Sequence, residues 1–296
     1  MKPPAAARPP LQTRILRRLL GLYPLQIGKG WVASVFSDQK IPDGEVVSTK
    51  EGVLIRTRPD YVFKHIYLFG EFEPVNTAAF KRIIRPGDVC LDVGANIGYF
   101  TCLFARWGAK VYAFEPLPST FALNQETISL NHAGSLAQTF NQGLGERSGS
   151  LRIYQFRNLS HGHASSSDLG RDDAVPHECK VTTIDAFCAE QRLDRVSFIK
   201  IDVEGFEYEV LKGGEALLKR TDAPVVHFEV NGECVRQRNL DPNQIVSLLK
   251  SYGYARFLQI GRYHGVRKAP SALPTANHDY LAFKDPRRAE EIAGRC

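Results

Sequence analysis

The sequence predicts an α/β protein built on a Rossmann-like, doubly wound and mostly parallel sheet, with small strands and a helix ahead of it. Three observations carry that expectation. From Pro86 onward, short β-rich apolar runs alternate with helix-forming segments, the pattern that puts helices on both faces of a parallel sheet. One run, Val89-Cys90-Leu91, leads into Asp92-Val93-Gly94-Ala95-Asn96-Ile97-Gly98 and then an apolar-rich stretch, which reads as strand, tight turn and helix start. Four runs end in acids, Asp92, Glu115, Asp202 and Glu229, and in an open parallel sheet such strand ends line one crevice.

Taken in order, residues 1–40 form a basic N-terminal extension. Pro3, Pro4, Pro9 and Pro10 make its start a poor folder, and residues 11–20 place Arg14, Arg17 and Arg18 among Ile15 and leucines as a short amphipathic helix. Such a helix suits the edge of a domain or the surface of an anionic membrane. No small-residue cleavage site follows, and Pro24 and Lys29 interrupt the apolar run that a spanning helix needs, so the expected location is cytoplasmic, with residues 11–20 packed on the domain's edge in preference to the alternative, peripheral contact with a membrane surface. Residues 41–85 are expected to form a β-rich cap, because Val46, Val47, Val53, Leu54, Ile55, Tyr61, Val62 and Phe63 cluster there.

Residues 86–296 hold the main domain. Central strands are expected at 88–93, 110–114, 136–141, 196–201 and 224–230, with helices at 99–106, 119–131 and 206–211. Asp241-Pro242 opens a further helix, and strands at 255–260 and 278–283 close the sheet. Between 141 and 181 the alternation breaks: a small strand at 151–156 is followed by a polar segment carrying His161 and His163, a candidate lid or recognition loop.

Composition excludes several classes. The chain has 296 residues, 43% hydrophobic and 24% charged, as an ordinary globular protein does. Its six cysteines show neither a C-x-x-C pair nor zinc-like histidine spacing and are expected as reduced thiols. The net charge of +6 arises within residues 1–30 from Lys2, Arg8, Arg14, Arg17, Arg18 and Lys29; the remaining 32 basic and 32 acidic residues cancel. Nothing in that distribution suggests the basic stripe of a nucleic-acid binder.

The glycine spacing also excludes a cofactor. A dinucleotide turn needs G-x-G-x-x-G, and Asn96 stands where the middle glycine belongs. Glu115 follows Asp92 by 23 residues, the separation of a carboxylate that binds ribose hydroxyls from the neighbouring strand. Two strand-end acids suit a cationic nucleoside, and S-adenosylmethionine (SAM) has a ribose and a sulfonium but no phosphate, so a methyl donor fits better than NAD.

The ordered set DVGANIGYF, VYAFEP, FIKIDVEGFEYEVLKGG and HFEVN resembles the FkbM family of SAM-dependent methyltransferases, from about residue 70 to residue 231. The resemblance implies a class I methyltransferase fold, whose closing strands form an antiparallel pair, and an enzyme that methylates hydroxyl oxygens of sugars or polyketide-type natural products. It assigns SAM to Asp92, Gly94, Asn96 and Gly98, with Glu115 at the ribose. Asn141, ending the third strand, is expected to face the adenine, and Glu73 to meet the methionine amino group.

Methyl transfer needs the acceptor oxygen, methyl carbon and sulfur in line, plus a base for the hydroxyl proton. Asp202, Glu204, His163 and Glu229 are the candidates; Asp202 ends the strand beside the cofactor strand, but it equally suits the methionine portion, leaving Glu204 or a loop histidine as base. Asp202, Glu229 and Asn231 are also hard ligands of the kind Mg²⁺ takes, yet such groups serve equally as cofactor ligands and helix caps, and no metal is expected. The rival readings are a catalytically silent SAM-fold protein tethered to a membrane or partner, and a nucleotide-dependent oxidoreductase. The acceptor is a small molecule or glycan; the sequence leaves the oligomeric state open.

Overall fold

The computed structural model describes residues 41–59, 61–156, 164–165, 170–261 and 265–294. Two short strands, β1 (Val46–Ser48) and β2 (Leu54–Arg56), pair antiparallel and are followed by α1 (Tyr61–Phe69) and α2 (Pro74–Ile83). Tyr61-Val62-Phe63 therefore opens a helix where a strand was expected, and the segment 41–85 is less β-rich than its composition suggests. The reason is spacing: Val62, Ile66 and Phe69 recur at helical intervals, as do Phe63 and Tyr67, and all five enter one buried cluster.

The main domain then runs β3 (Val89–Val93), α3 (Tyr99–Arg106), β4 (Lys110–Phe114), α4 (Pro118–Leu130), β5 (Ala137–Phe140), β6 (Gly143–Leu144), β7 (Gly149–Phe156), β8 (Ala164–Ser165) and β9 (Ala174–Thr182). It continues through α5 (Ile184–Glu190), β10 (Phe198–Ile201), α6 (Glu207–Lys212), α7 (Glu215–Lys219), β11 (Val225–Val230), α8 (Gly232–Arg238) and α9 (Asn243–Ser251). It closes with β12 (Arg256–Ile260), β13 (Val266–Lys268), β14 (His278–Phe283) and α10 (Pro286–Ala293). Local chemistry marks several starts. Thr183 accepts from Ala186 N at 3.0 Å to cap α5, Asn231 caps α8, and Asp285 accepts from Arg287 N ahead of α10, whose first residue is Pro286.

The main sheet has the order β13-β12-β14-β11-β10-β3-β4-β5. β11, β10, β3, β4 and β5 are parallel, β14 runs antiparallel to β11, and β12 pairs antiparallel with β14, the closing pair expected from sequence. β13, which sequence reading missed, hairpins onto the β12 edge. The broken alternation between β5 and α5 is a second, four-stranded sheet ordered β6-β9-β7-β8.

Two apolar clusters flank the main sheet. Residues of α1 to α4 and α10 pack on one face with Phe80, Phe104 and Phe198 at its centre; α5 to α9 pack on the other around Ile199, Ile201 and Phe228. The central strands are buried on both faces, which is why they read as near-continuous apolar runs. After β3 the chain moves out through β4 and β5, then returns to β10 on the opposite side of β3. This reversal opens a crevice at the carboxyl ends of β3 and β10, where ligands bind in sheets of this kind.

Candidate cofactor and acceptor site

At the crevice the glycine turn is built by close approach. Gly94 has φ 76°, and a Cβ placed there would lie 1.8 Å from the carbonyl oxygen of Asp202, so the β3–β10 seam admits only glycine. The N–H groups of Gly94 and Ala95 both donate to Phe114 O, at 3.1 and 3.0 Å, and that of Asn96 donates to Glu115 Oε2 at 3.1 Å. With these donors committed to protein acceptors, the turn is no nest for a phosphate, which removes the physical basis of a dinucleotide reading.

Glu115 is 6% exposed and also accepts from Leu117 N at 3.0 Å through Oε1. Burial pushes its carboxyl up to about 7, opposed by those two backbone bonds. Asn141 lies beside it but points its donors at the backbone: Nδ2 donates to Glu115 O at 3.0 Å and Pro116 O at 2.9 Å. Its main structural task is thus to clamp the turn after β4. Asn96 sits at φ 48°, its carbonyl accepting from Asn124 Nδ2 at 3.1 Å, while its own buried Oδ1 has no hydrogen-bond partner. Gly98, at φ 83°, caps α3.

Across the seam lies a row of charges that sequence reading assembled only in part. Lys200 pairs in register with Asp92 on β3 and His227 on β11, and one step further along the same face come Asp202, Glu229 and Asp279. Lys200 Nζ is 3.1 Å from Asp202 Oδ2 and 3.8 Å from Asp92 Oδ1, and it lies over the Phe100 ring. Burial alone would lower this ammonium; Asp202, Asp92 and Glu73 outweigh it and raise it. Asp92 is fully buried and accepts from Thr101 Oγ1 at 2.6 Å; burial raises its carboxyl against the pull of Lys200.

Asp202 and Glu229 share a hydrogen bond and separate in charge. Burial opposes ionisation of both, but Lys200 holds Asp202 below the usual carboxylate range, whereas burial and the charges of Asp202 and Asp279 push Glu229 far above it. Of this pair Asp202 is thus the more acidic carboxyl and Glu229 the one whose proton is held more tightly. Glu73, in the left-handed conformation ahead of α2, faces the same group; burial, Asp279 and Asp202 push it up to about 8 while Asn76 Nδ2 donates to its Oε2 at 2.9 Å. His227 is 1% exposed under Phe80, with its Nε2 3.0 Å from Asp279 Oδ1.

Glu204 occupies the loop after β10 at φ 53°. Its Oε2 accepts from Asn231 Nδ2 at 2.5 Å, and burial with the charges of Asp202 and Glu207 pushes it up to about 8. Glu207 holds the loop by accepting from Val203 N and Gly205 N at 3.2 and 3.1 Å. Asn231, offered above as a metal ligand, instead caps α8 by accepting from Glu233 N and Cys234 N. Among the described residues no three His, Cys, Asp or Glu side chains are arranged so that they could hold a metal ion. His161 and His163 lie outside the described residues.

The crevice thus joins Asp92, Asp202, Glu229 and Glu73 in one cluster and Glu115, Asn96 and Asn141 in another. Sequence reading missed Lys200, His227 and Asp279. A signal for two of them existed: Lys-x-Asp and His-x-Glu place a cation or imidazole on the same strand face as the acid two residues on.

The chain is similar to several known proteins. The model of the methyltransferase FkbM domain matches residues 92–255, more than half of the chain. Methyltransferase sdnD from Sordaria araneosa is 30% identical over 182 residues, 52% of this chain and 68% of that protein. The 31-O-demethyl-FK506 methyltransferase FkbM from Streptomyces tacrolimicus is 31% identical over 204 residues, 58% of this chain and 74% of that one. Hexuronic acid methyltransferase AglP from Haloferax volcanii is 28% identical over 162 residues, covering 55% and 61% respectively. With the strand order, the glycine turn and the strand-end acids of the matched region all in place, the chain belongs to the FkbM family of SAM-dependent methyltransferases.

Proposed function

We propose that the chain transfers the methyl group of SAM to a hydroxyl oxygen of a sugar or natural-product acceptor. The observation that carries this reading is the pairing, at one end of one sheet, of a turn whose N–H groups are committed to protein acceptors with a carboxyl cluster suited to a cation. The cradle fits the cofactor. Gly94 admits close approach, the buried Asn96 Oδ1 awaits a donor, Glu115 faces the turn from the neighbouring strand, and Glu73 with the cluster suits an ammonium group. Asp92, Gly94, Asn96, Gly98 and Glu115 form this site in our reading, with Asn141 acting through Glu115. When bound, SAM supplies an already activated methyl group, and the chain contributes alignment and a proton acceptor.

For that acceptor the carboxyls differ. Asp202 is held by Lys200 and Glu229 and is a weak base; Glu204 retains its proton up to about 8. Asp279 is fixed through Oδ1 by His227, while its Oδ2 accepts from no described residue, so it joins Asp202 and Glu204 as a candidate. The relatives that act on hexuronic acid and on 31-O-demethyl-FK506 support a hydroxyl-bearing acceptor. Five described cysteines are free and buried, which suits a reducing, cytoplasmic setting, and no described helix is long and apolar enough to cross a membrane.

The test is transfer from methyl-labelled SAM to a panel of glycans, uronic-acid sugars and macrolide alcohols, with products analysed by mass spectrometry. We expect an alkali-stable methyl ether. Label found only on nitrogen, or only as an alkali-labile ester, overturns the hydroxyl assignment. SAM binding with no transfer to any acceptor moves the reading to a silent binding protein.

A further inference from the structure

The methyl donor and its demethylated product, S-adenosylhomocysteine (SAH), differ in charge at the reacting sulfur: the donor is a sulfonium cation and the product a neutral thioether. A site with excess negative charge favours the donor, and a fixed cation inside it reduces that preference. Lys200 is such a cation. It is 2% exposed, lies 3.1 Å from Asp202 and 3.8 Å from Asp92, and shares its sheet face with His227, Glu229 and Asp279, while Glu73, ahead of α2, is near enough for its charge to act on it. Its field is poorly screened because water does not reach it. Its Nζ donates to Asp202 and lies beside Asp92 and over the Phe100 ring, and β10, which carries it, is buried along its length.

We infer that Lys200 sets the discrimination between SAM and SAH, by cancelling part of the negative charge that the carboxylates around it present at the carboxyl end of the sheet. The inference rests on placing the cofactor in this crevice. Lys200 is then a specificity-determining residue whose influence passes through the electrostatic balance of Asp202 and its neighbours.

The experiment is calorimetric titration of the full chain with SAM and, separately, with SAH, at about pH 8. Lys200→Met keeps the stem and removes the charge; Asp202→Asn keeps the shape and removes the opposite charge. The ratio Kd(SAH)/Kd(SAM) should rise about fivefold or more in Lys200→Met and fall by a similar factor in Asp202→Asn. A role confined to holding the fold would weaken both ligands together and leave the ratio in place. Ratios within roughly twofold of wild type in both folded variants overturn the inference. If circular dichroism shows that Lys200→Met does not fold, Asp202→Asn alone decides by the same criterion. A wild type that binds neither ligand removes the crevice assignment itself, and this inference with it.

Discussion

The two halves of the crevice are held by different physics. On the β3–β4 side, the turn from Gly94 to Gly98 is fixed by backbone groups bonded to Phe114 and Glu115 and by a contact that leaves no room for a Cβ. On the β10–β11–β14 side, position is set by charges facing one another across strands: Lys200 between Asp92 and Asp202, a Glu229 carboxyl pushed up by burial beside Asp202, and His227 against Asp279. The first half is a shape that a substitution breaks. The second is a balance that a substitution tilts, and its state changes with pH.

Gly94→Ala should give the largest effect. The added carbon meets the backbone oxygen of Asp202 and the φ of 76° is strained for alanine, so we expect a loss of about 3 kcal/mol or more in denaturant unfolding and no detectable SAM binding. Wild-type stability in this variant would break the distinction between the halves. Phe80→Ala should destabilise the fold comparably but leave the glycine turn itself in place. Phe80 is fully buried against Phe100, Phe104, Phe198 and the His227 ring, and its loss should cost about 3–5 kcal/mol, with the charged half loosened through His227.

Glu115→Gln should be milder. An amide has one oxygen for the two N–H groups that the carboxylate satisfies, so about 1–3 kcal/mol of SAM affinity should disappear, read by calorimetry; an unchanged Kd would remove Glu115 from the cofactor site.

The last test concerns pH. Burial raises Glu73 and Glu204 to about 8 and Glu115 and Glu207 to about 7, above an ordinary value of 4.5. In each case the folded state binds its proton more tightly than the unfolded chain. The stability this provides is fully present below about 4.5 and is lost as pH rises through 7 to 8. Unfolding free energy of the ligand-free protein should therefore fall over that window, by at most about 1.4 kcal/mol per pH unit for each group, and Glu204→Gln should make the fall shallower. An identical slope in the variant would show that Glu204 does not titrate with the cluster.

How much of this was legible follows the same division. The turn, Glu115 and the strands carrying them were readable, because a run such as Val89-Cys90-Leu91 followed by a glycine-punctuated turn states its geometry within a dozen residues. Lys110–Phe114 and Tyr99–Arg106 appear with the bounds expected of them. Tyr61–Phe69 was misread because β-branched and aromatic content outweighed its helical spacing. Asn141 and Asn231 make hydrogen bonds to neighbouring backbone that single-residue reasoning does not see.

The sequence by itself determined the fold class, the glycine turn and the family, since periodicity, glycine placement and strand-end acids are local properties that survive without coordinates. Only the tertiary structure decided which charges meet. Lys200, His227 and Asp279 are separated along the chain, and cross-strand register alone brings them to one face. Whether each carboxyl there carries a proton depends on that neighbourhood and its burial, because electrostatic energy is set by distance and dielectric, which no stretch of sequence contains.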